Sequence, residues 1–441
     1  MKTPSVAIDG FNLAMLHGTG VATYGIGVAE AARSLGMSVE ALFGIPLGAD
    51  PRLREILFFE AFGRGAIPRK GPAWYRAVVD RWAVLRGLRV QEMDNAHHVE
   101  QRGFADRLPA FDRIRSAPWL FERADRHFQR TRRFLNLRMP DPPTIMHWTY
   151  PVPIKLIGAR NVYTLHDLVP LKLPYATLDR KRSYFRLIER CVAEADHIVT
   201  VSDSSRNDVI DLFGIPPERI TNTYQHAPMP ATASGHDDDV ADLKGIFDVE
   251  PDKYFLYFGA IEPKKNIGRL IEAYLSISTD TPLVIVGARA WQSENELRLI
   301  GGGAGGGGMR PKGIGGSRII QLDYLPRRLL MKLASGARAV LFPSLYEGFG
   351  LPVLEAMSLG TPVVTSSQGS LPEVAGDAAI LVDPYNVSEL AAAIRRVDSD
   401  SGLRDLMRAR GMVQANRFSL DQHRRQLHAV YESILSCRPE K

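Results

Sequence analysis

Short apolar runs that close on polar residues, separated by helix-length stretches, set the architecture of this chain. Val6–Asp9, Thr144–Trp148, Asn161–Leu165 and His197–Val201 carry the pattern in the first half. Tyr254–Phe258, Leu283–Val286, Arg318–Leu322, Ala339–Phe342, Pro362–Thr365 and Ala379–Val382 carry it in the second. Apolar runs of this length suit strands buried on both faces, the environment of a parallel sheet covered by helices. Gly20–Leu35 and Leu420–Leu435 read as two of the helices. Such sheets bind ligands outside the carboxyl ends of their strands. The polar closers His147, His166, Asp167 and Ser202 therefore stand at candidate sites, with Ser202 also reading as a helix cap.

A chain of 441 residues has room for two or three domains. Residues 229–245 open small, polar and acidic and read as a linker. The expected division is two Rossmann-like α/β domains over 1–228 and 246–417, followed by a helical segment over 418–441. Gly301–Gly316 lacks the strand-to-helix context of a nucleotide loop and reads as a surface insertion. Cys191 and Cys437 have no metal-like or CxxC spacing, which points to a reducing compartment. No apolar run approaches the roughly 20 residues that span a bilayer, and the start has no long apolar segment of a secretory signal. A soluble, cytoplasmic protein is expected.

The formal net charge is +6, with the excess in the first 230 residues. Arg102 to Arg138 is the densest basic stretch and includes Arg123, Arg126, Arg130, Arg132 and Arg133. Two readings are open. The stretch attracts an anionic membrane surface or acceptor, placing the protein at the inner membrane face. Otherwise it is a solvated helix face with Phe121, Phe128 and Phe134 turned inward. Nothing resembles a nucleic-acid reading module, so nucleic acid is excluded as a partner.

Phe342–Thr365 is the most informative segment. A strand ends near Pro343, and Gly348 and Gly350 permit unusual dihedrals and close backbone approach in the loop that follows. Pro352 falls in the first helical turn, and Gly360 and Pro362 end the helix. The free N–H groups that the stretch 348–352 offers, Pro352 itself having none, then form an anion site at a helix N-terminus. Glu347 and Glu355 flank it, and carboxylates accept hydrogen bonds from sugar hydroxyls. A second segment, Phe258–Asn266, puts Lys264 and Lys265 beside another helix start, a charge pattern suited to a diphosphate.

The stretch from Glu347 through Gly-Phe-Gly-Leu-Pro-Val-Leu to Glu355 closely resembles the paired-glutamate signature of retaining GT-B glycosyltransferases, family 4 in particular. The resemblance implies two Rossmann-like domains facing across a cleft, with the acceptor on the first, the nucleotide sugar on the second and the C-terminal helix crossing back. It implies that Glu355 binds the donor ribose, that Glu347 contacts the transferred sugar, and that the backbone of Gly348, Phe349, Gly350 and Leu351 holds sugar and diphosphate. Lys265 takes the family's phosphate-binding position. The family often has Arg directly after the first glycine of this loop; Ala260 stands there, and Lys264 is the candidate for the second charge. Gly287 and Leu325 fall where the family holds the nucleobase. Gly18 and Gly20 match a glycine loop that reaches the donor phosphate. His166, with Asp167, resembles the family's His at the acceptor side, with His147 and Tyr150 as further acceptor-side candidates.

The implied reaction is metal-independent hexosyl transfer with retention, on a nucleotide diphosphate sugar as co-substrate and without another cofactor. Asp398-Ser-Asp400 matches a metal-binding D-x-D but lies in the helical C-terminal tail and is rejected. The EPKKN and GARAW variants look most like bacterial mannosyltransferases of surface polysaccharide. They favour GDP-mannose over a UDP-sugar and a glycan or polyprenyl-linked acceptor. The rivals are a sugar-phosphate enzyme on the same fold, such as an epimerase or phosphorylase, and a non-catalytic nucleotide-sugar-binding subunit. Ser370-Leu-Pro-Glu373 fits a helix capping box.

Overall fold

The structure is a computed structural model that describes residues 4–15, 20–48, 50–65, 71–93, 99–104, 108–227, 243–300 and 319–436. Gly18, most of the expected linker, the glycine-rich segment 301–316 and Cys437 lie outside these residues.

Two separate parallel sheets carry the chain, as the apolar runs predict. The first contains β1 (Ser5–Asp9), β2 (Ser38–Phe43), β3 (Gln91–Met93), β4 (Arg113–Ser116), β6 (Ile145–Trp148), β8 (Arg160–Leu165), β9 (His197–Thr200) and β10 (Ile220–Asn222). Their order is β10-β9-β8-β6-β1-β2-β4-β3, and only β3 runs antiparallel to its neighbour. A small side pair joins β5 (Leu135–Leu137) to β7 (Ile154–Leu156). The second sheet contains β11 (Phe255–Phe258), β12 (Leu283–Val286), β13 (Ile319–Leu322), β14 (Ala339–Phe342), β15 (Val363–Ser366) and β16 (Ala379–Val382). Its order, β13-β12-β11-β14-β15-β16, is that of a Rossmann sheet.

In both sheets the strand order reverses beside the first strand, between β1 and β6 and between β11 and β14. Such a reversal opens a crevice at the carboxyl ends, because the two chains leave toward opposite faces. The loops after β11 and β14 carry Lys265 and Glu347 to one crevice. The loop after β8 carries His166 to the carboxyl edge of the other sheet. The Leu420–Ser436 helix lies against the Gly20–Ser34 helix of the first half. Its Tyr431 hydroxyl meets His147 Nδ1 at 2.7 Å, and its His423 Nδ1 donates to the Thr223 carbonyl at 3.0 Å.

Several motif readings resolve here. Ser202 Oγ accepts from Ser205 N at 3.0 Å and caps the Asp203–Phe213 helix. The expected capping box at Ser370 does not form: Ser370 Oγ donates to the Glu347 carbonyl at 2.9 Å. Glu373 reaches away from its own helix and accepts from Asp203 N at 2.9 Å and Ser204 N at 3.2 Å. It thereby caps a helix of the first half from the second. Asp400 caps the Ser401–Ala415 helix, and Asp398 accepts from Thr279 and Thr281, so both carboxylates are used structurally. At the end of the expected linker, Leu243 is helical and buried.

Candidate active site

Backbone contacts between the two second-sheet loops bring Lys265 to Glu347. Pro263–Lys265 forms one turn of 3-10 helix, ended by Asn266 in the left-handed region at φ 61°. The buried Asn266 amide donates to the Pro343 carbonyl at 3.0 Å and the Pro384 carbonyl at 2.7 Å. Leu345 N donates to the Lys264 carbonyl at 2.8 Å, which aligns the loops. Lys265 Nζ then lies 2.6 Å from Glu347 Oε1, with both side chains nearly buried, and 5.1 Å from the centre of the Phe342 ring. Burial works to raise the Glu347 pKa, but Lys265 and Lys264 outweigh it and hold the carboxyl below its ordinary value. Burial opposes the charge of Lys264, yet Glu347, Asp167 and Glu262 together raise its pKa.

Gly350, at φ 98°, turns the chain into the Leu351–Ser358 helix. Its N-terminus faces that of the Gly20–Ser34 helix: a Cβ on Gly20 would sit 3.4 Å from Leu351 Cδ1. Neither first turn carries an acidic residue. Two positive helix ends therefore converge on one space. Glu355 lies inside the second helix, with Arg327 Nη2 2.9 Å from its Oε1. Burial raises the Glu355 pKa and Arg327 only partly offsets it. Arg327 is a charged cavity residue that the sequence reading missed.

The loop of the second half touches the first half directly. A Cβ on Gly348 would fall 2.3 Å from the His166 carbonyl oxygen, so only glycine fits. Ser205 Oγ donates to that carbonyl at 2.8 Å. The Tyr346 hydroxyl donates to Asp208, and the Tyr175 and Tyr385 hydroxyls meet at 3.1 Å. His166 Nε2 lies 2.8 Å from the Thr149 carbonyl. A carbonyl only accepts, so Nε2 carries the proton and Nδ1 of the neutral ring is an acceptor. Burial lowers the His166 pKa, against the Thr149 carbonyl and Asp167, and keeps the ring neutral.

A cavity of about 340 Å³ collects most of the predicted residues: Gly20, His166, Asp167, Lys265, Glu347, Gly348, Phe349, Gly350, Leu351 and Glu355, with Arg327 added. The remaining candidates stand apart from it. Lys264 sits behind Glu347, paired with Glu262 at 3.4 Å. Gly287 allows a close approach of backbones, since its Cβ would meet the Gly259 carbonyl oxygen at 1.8 Å. Leu325 packs on the core. Tyr150 stacks on Phe11 with centroids 6.1 Å apart, and burial, with Asp179 and Asp167 nearby, pushes its hydroxyl up to about 12. His147 corrects the expectation outright. It is fully buried, Tyr431 and Thr164 occupy both ring nitrogens at 2.7 and 2.8 Å, and burial drives its pKa down to about 3. It is a core residue that ties the C-terminal helix to the first sheet.

Asp9, at the end of β1, stands behind His166. Its Oδ2 accepts from Thr149 Oγ1 at 2.8 Å, and the Thr149 carbonyl accepts from His166. Burial pushes the Asp9 carboxyl up to about 6, against hydrogen bonds from Thr149 and Phe11. In an unfolded chain it titrates near 3.9. The folded state therefore holds the proton more tightly, and stability falls as pH rises from about 4 through about 6. Asp9→Asn removes this dependence. Between pH 4 and pH 7.5 its unfolding free energy should gain about 2–3 kcal/mol on the wild type, read from denaturant melts at both values. A constant difference between the two proteins would refute the assignment.

The comparisons with known proteins speak to the family and the fold. Residues 252–400 match the family model of "Glycosyl transferases group 1", and residues 19–224 match that of "Glycosyltransferase Family 4". The O-antigen chain mannosyltransferase B of Escherichia coli is 35% identical over 280 residues, which cover 62% of this chain and 71% of that protein. The serotype-specific mannosyltransferase WbdA of Escherichia coli is 29% identical over 287 residues, covering 62% of this chain but only 33% of WbdA. Among solved structures, HepE of Anabaena in complex with UDP and glucose superimposes with a TM-score of 0.60 at 15% identity, over 98% of this chain and 100% of that one. Such a distant likeness speaks for the two-sheet fold alone. Both halves of the sequence and the fold that joins them lead to one assignment: the chain belongs to the group 1 glycosyltransferases of family 4, with the GT-B architecture.

Proposed function

We propose that this glycosyltransferase moves a hexose, mannose before others, from a nucleotide diphosphate sugar to a glycan or polyprenyl-linked acceptor in the synthesis of bacterial surface polysaccharide. The observation that carries the reading is the convergence of Lys265, Arg327 and two helix N-termini on one cavity whose opposite wall is His166. The mannosyltransferases among the relatives favour mannose, and the resemblance of the EPKKN and GARAW segments to mannosyltransferases is the support for GDP-mannose over a UDP-sugar as donor. The donor lobe is taken as 246–417 and the acceptor lobe as 1–228, joined by 229–245 and bridged by 418–441.

Cleaving the glycosidic bond to the diphosphate puts negative charge on the leaving oxygens and positive character on the anomeric carbon. Lys265, Arg327 and the helix N-terminus stabilise the first charge where it develops. An ammonium has three donors, so Lys265 can hold Glu347 and a phosphate oxygen together. Glu347 remains ionised and accepts hydrogen bonds from hydroxyls of the transferred sugar. A front-face route, with the leaving phosphate taking the acceptor proton, gives retention without a protein nucleophile. The positive charge of this wall supports metal independence.

A panel of GDP-, UDP- and ADP-sugars, read by thermal shift and then by turnover with and without EDTA, tests the proposal. Stabilisation by GDP-mannose above the rest, with turnover unaffected by EDTA, is expected. A complete loss of turnover restored by Mn²⁺ would overturn the metal-free reading. Stabilisation by UDP-sugars alone would overturn the choice of donor. Glu355→Ala should weaken binding of the free nucleotide by about 1–3 kcal/mol, because a charged acceptor of the ribose hydroxyls is lost. Unchanged affinity in the folded variant, measured by calorimetry, would remove Glu355 from the donor site.

A further inference from the structure

The Ala73–Arg86 helix buries one face and leaves a second, apolar face in solvent. On the buried side Asp80 receives Arg123 at 2.9 Å and Arg126 at 2.6 Å, which anchors it to the Leu120–Thr131 helix. On the other side Trp74, Tyr75, Val78 and Trp82 are 70%, 53%, 48% and 58% exposed. At the helical period these four fall within an arc of roughly 100°. Arg81 and Arg86 stand on the two flanks of that arc, and Arg86 lies over the Trp82 ring at 5.5 Å. Scattered apolar side chains on a surface need no explanation, but a contiguous aromatic stripe marks a contact face.

The charge beside the stripe is of one sign. The groove between the two helices holds a cavity of about 370 Å³ lined by Arg81, Arg123, Arg126, His127 and Arg130. Asp80, its one acidic lining residue, is taken up by Arg123 and Arg126. Arg81 and Arg130 have no acidic partner among the described residues, and Arg132 and Arg133 extend the exposed charge past the helix end. The expectation of a basic surface from Arg123 to Arg133 thus divides. Two arginines serve the fold, and the others border an aromatic face that the charge pattern did not reveal.

We propose that the exposed face of the Ala73–Arg86 helix docks on an anionic lipid bilayer. Trp74, Tyr75, Val78 and Trp82 enter the interface, and Arg81, Arg86 and Arg130 meet the headgroup phosphates. Tryptophan and tyrosine favour the boundary between headgroups and acyl chains. Arginine at the edge of an apolar stripe matches the negative surface potential of such a membrane. A straight stripe on one helix is covered whole by a planar layer. The Leu120–Thr131 helix that closes the groove starts beside a second, apolar cavity of about 210 Å³, lined by Phe11, Met15, Trp119 and Phe121 at the carboxyl edge of the first sheet. Docking would set that edge near the membrane. The inference stands on this surface alone and does not depend on the chemistry of the cleft.

Vesicle co-sedimentation and tryptophan emission test it, with vesicles of phosphatidylcholine alone and of phosphatidylcholine mixed with phosphatidylglycerol. The wild type should bind the mixed vesicles at low salt, with a blue shift in emission, and release at high salt. Trp74→Ser/Trp82→Ser should weaken partitioning about tenfold or more and abolish the shift. Arg81→Gln/Arg130→Gln should weaken it about tenfold while leaving the residual shift. All altered side chains lie outside the donor cavity, so melting temperature and nucleotide affinity should stay at wild-type values. Absence of wild-type binding to mixed vesicles at low salt overturns the proposal, as does equal binding by the tryptophan variant. A wild type that dimerises without lipid, beside a tryptophan variant that stays monomeric, assigns the face to a second copy and also overturns it.

Discussion

Lys265→Ala should lower turnover at saturating donor by about 10²–10³-fold, the cost of removing one well-placed stabiliser of transition-state charge. The reason lies in where the charge sits. Lys265 is nearly buried, and the Asn266 and Leu345 contacts fix its loop against that of Glu347. The substitution has a second effect. It leaves Glu347 buried without its hydrogen-bonded counter-charge, which costs about 3–5 kcal/mol in comparable buried pairs. Lys264 remains near and softens that loss, since it also lowers the Glu347 pKa. Adding Glu347→Gln to Lys265→Ala should therefore restore melting temperature but not turnover. Comparing the double variant with Glu347→Gln alone separates the roles, since Glu347 is itself assigned to the transferred sugar. If the two turn over equally, Lys265 acts only as a counter-ion to Glu347 and the leaving-group assignment fails.

What the sequence disclosed follows a physical rule. Strands buried on both faces appear as unbroken apolar runs, and each run read in this way corresponds to an observed strand. β2 and β4 escaped because both carry charge in their interiors. Glu40 on β2 and Arg115 on β4 pair at 3.1 Å, both almost fully buried, so neither strand looks apolar. β3, β5, β7 and β10 are only three residues long and leave no periodic signal. Lys264 stands apart from the cavity. Within it, Glu347, Glu355, Lys265, Gly348 and Gly350 were legible from the helix-end pattern together with the family resemblance. Arg327 was not, because Arg327 and Arg328 are adjacent and only the tertiary fold turns the first toward Glu355. His147 misled for the opposite reason. A polar residue at a strand end satisfies the rule for ligand sites, but Tyr431, far along the chain, seals it into the core.

His166 distinguishes a residue that acts in the reacting complex from one that captures donor. Its Nε2–H is committed to the Thr149 carbonyl, which leaves Nδ1 as an acceptor on a ring that lines the cavity. An acceptor there suits a hydroxyl of the transferred sugar or of the incoming glycan. His166→Ala should cut turnover by about 10²-fold, within the usual range for a positioned acid–base group. Nucleotide affinity should hold, because Lys265, Arg327 and Glu355 all lie on the other wall. The bond to Thr149 makes some loss of stability inevitable, on the order of 1–3 kcal/mol for a group left unpaired. Turnover per folded molecule is therefore the decisive reading. Burial also lowers the ring's pKa, so the acid limb of the turnover profile should fall below the ordinary value of about 6.5, and His166→Ala should remove it. Turnover within about threefold of wild type, with a lower melting temperature and an unchanged acid limb, would make His166 a structural residue like His147.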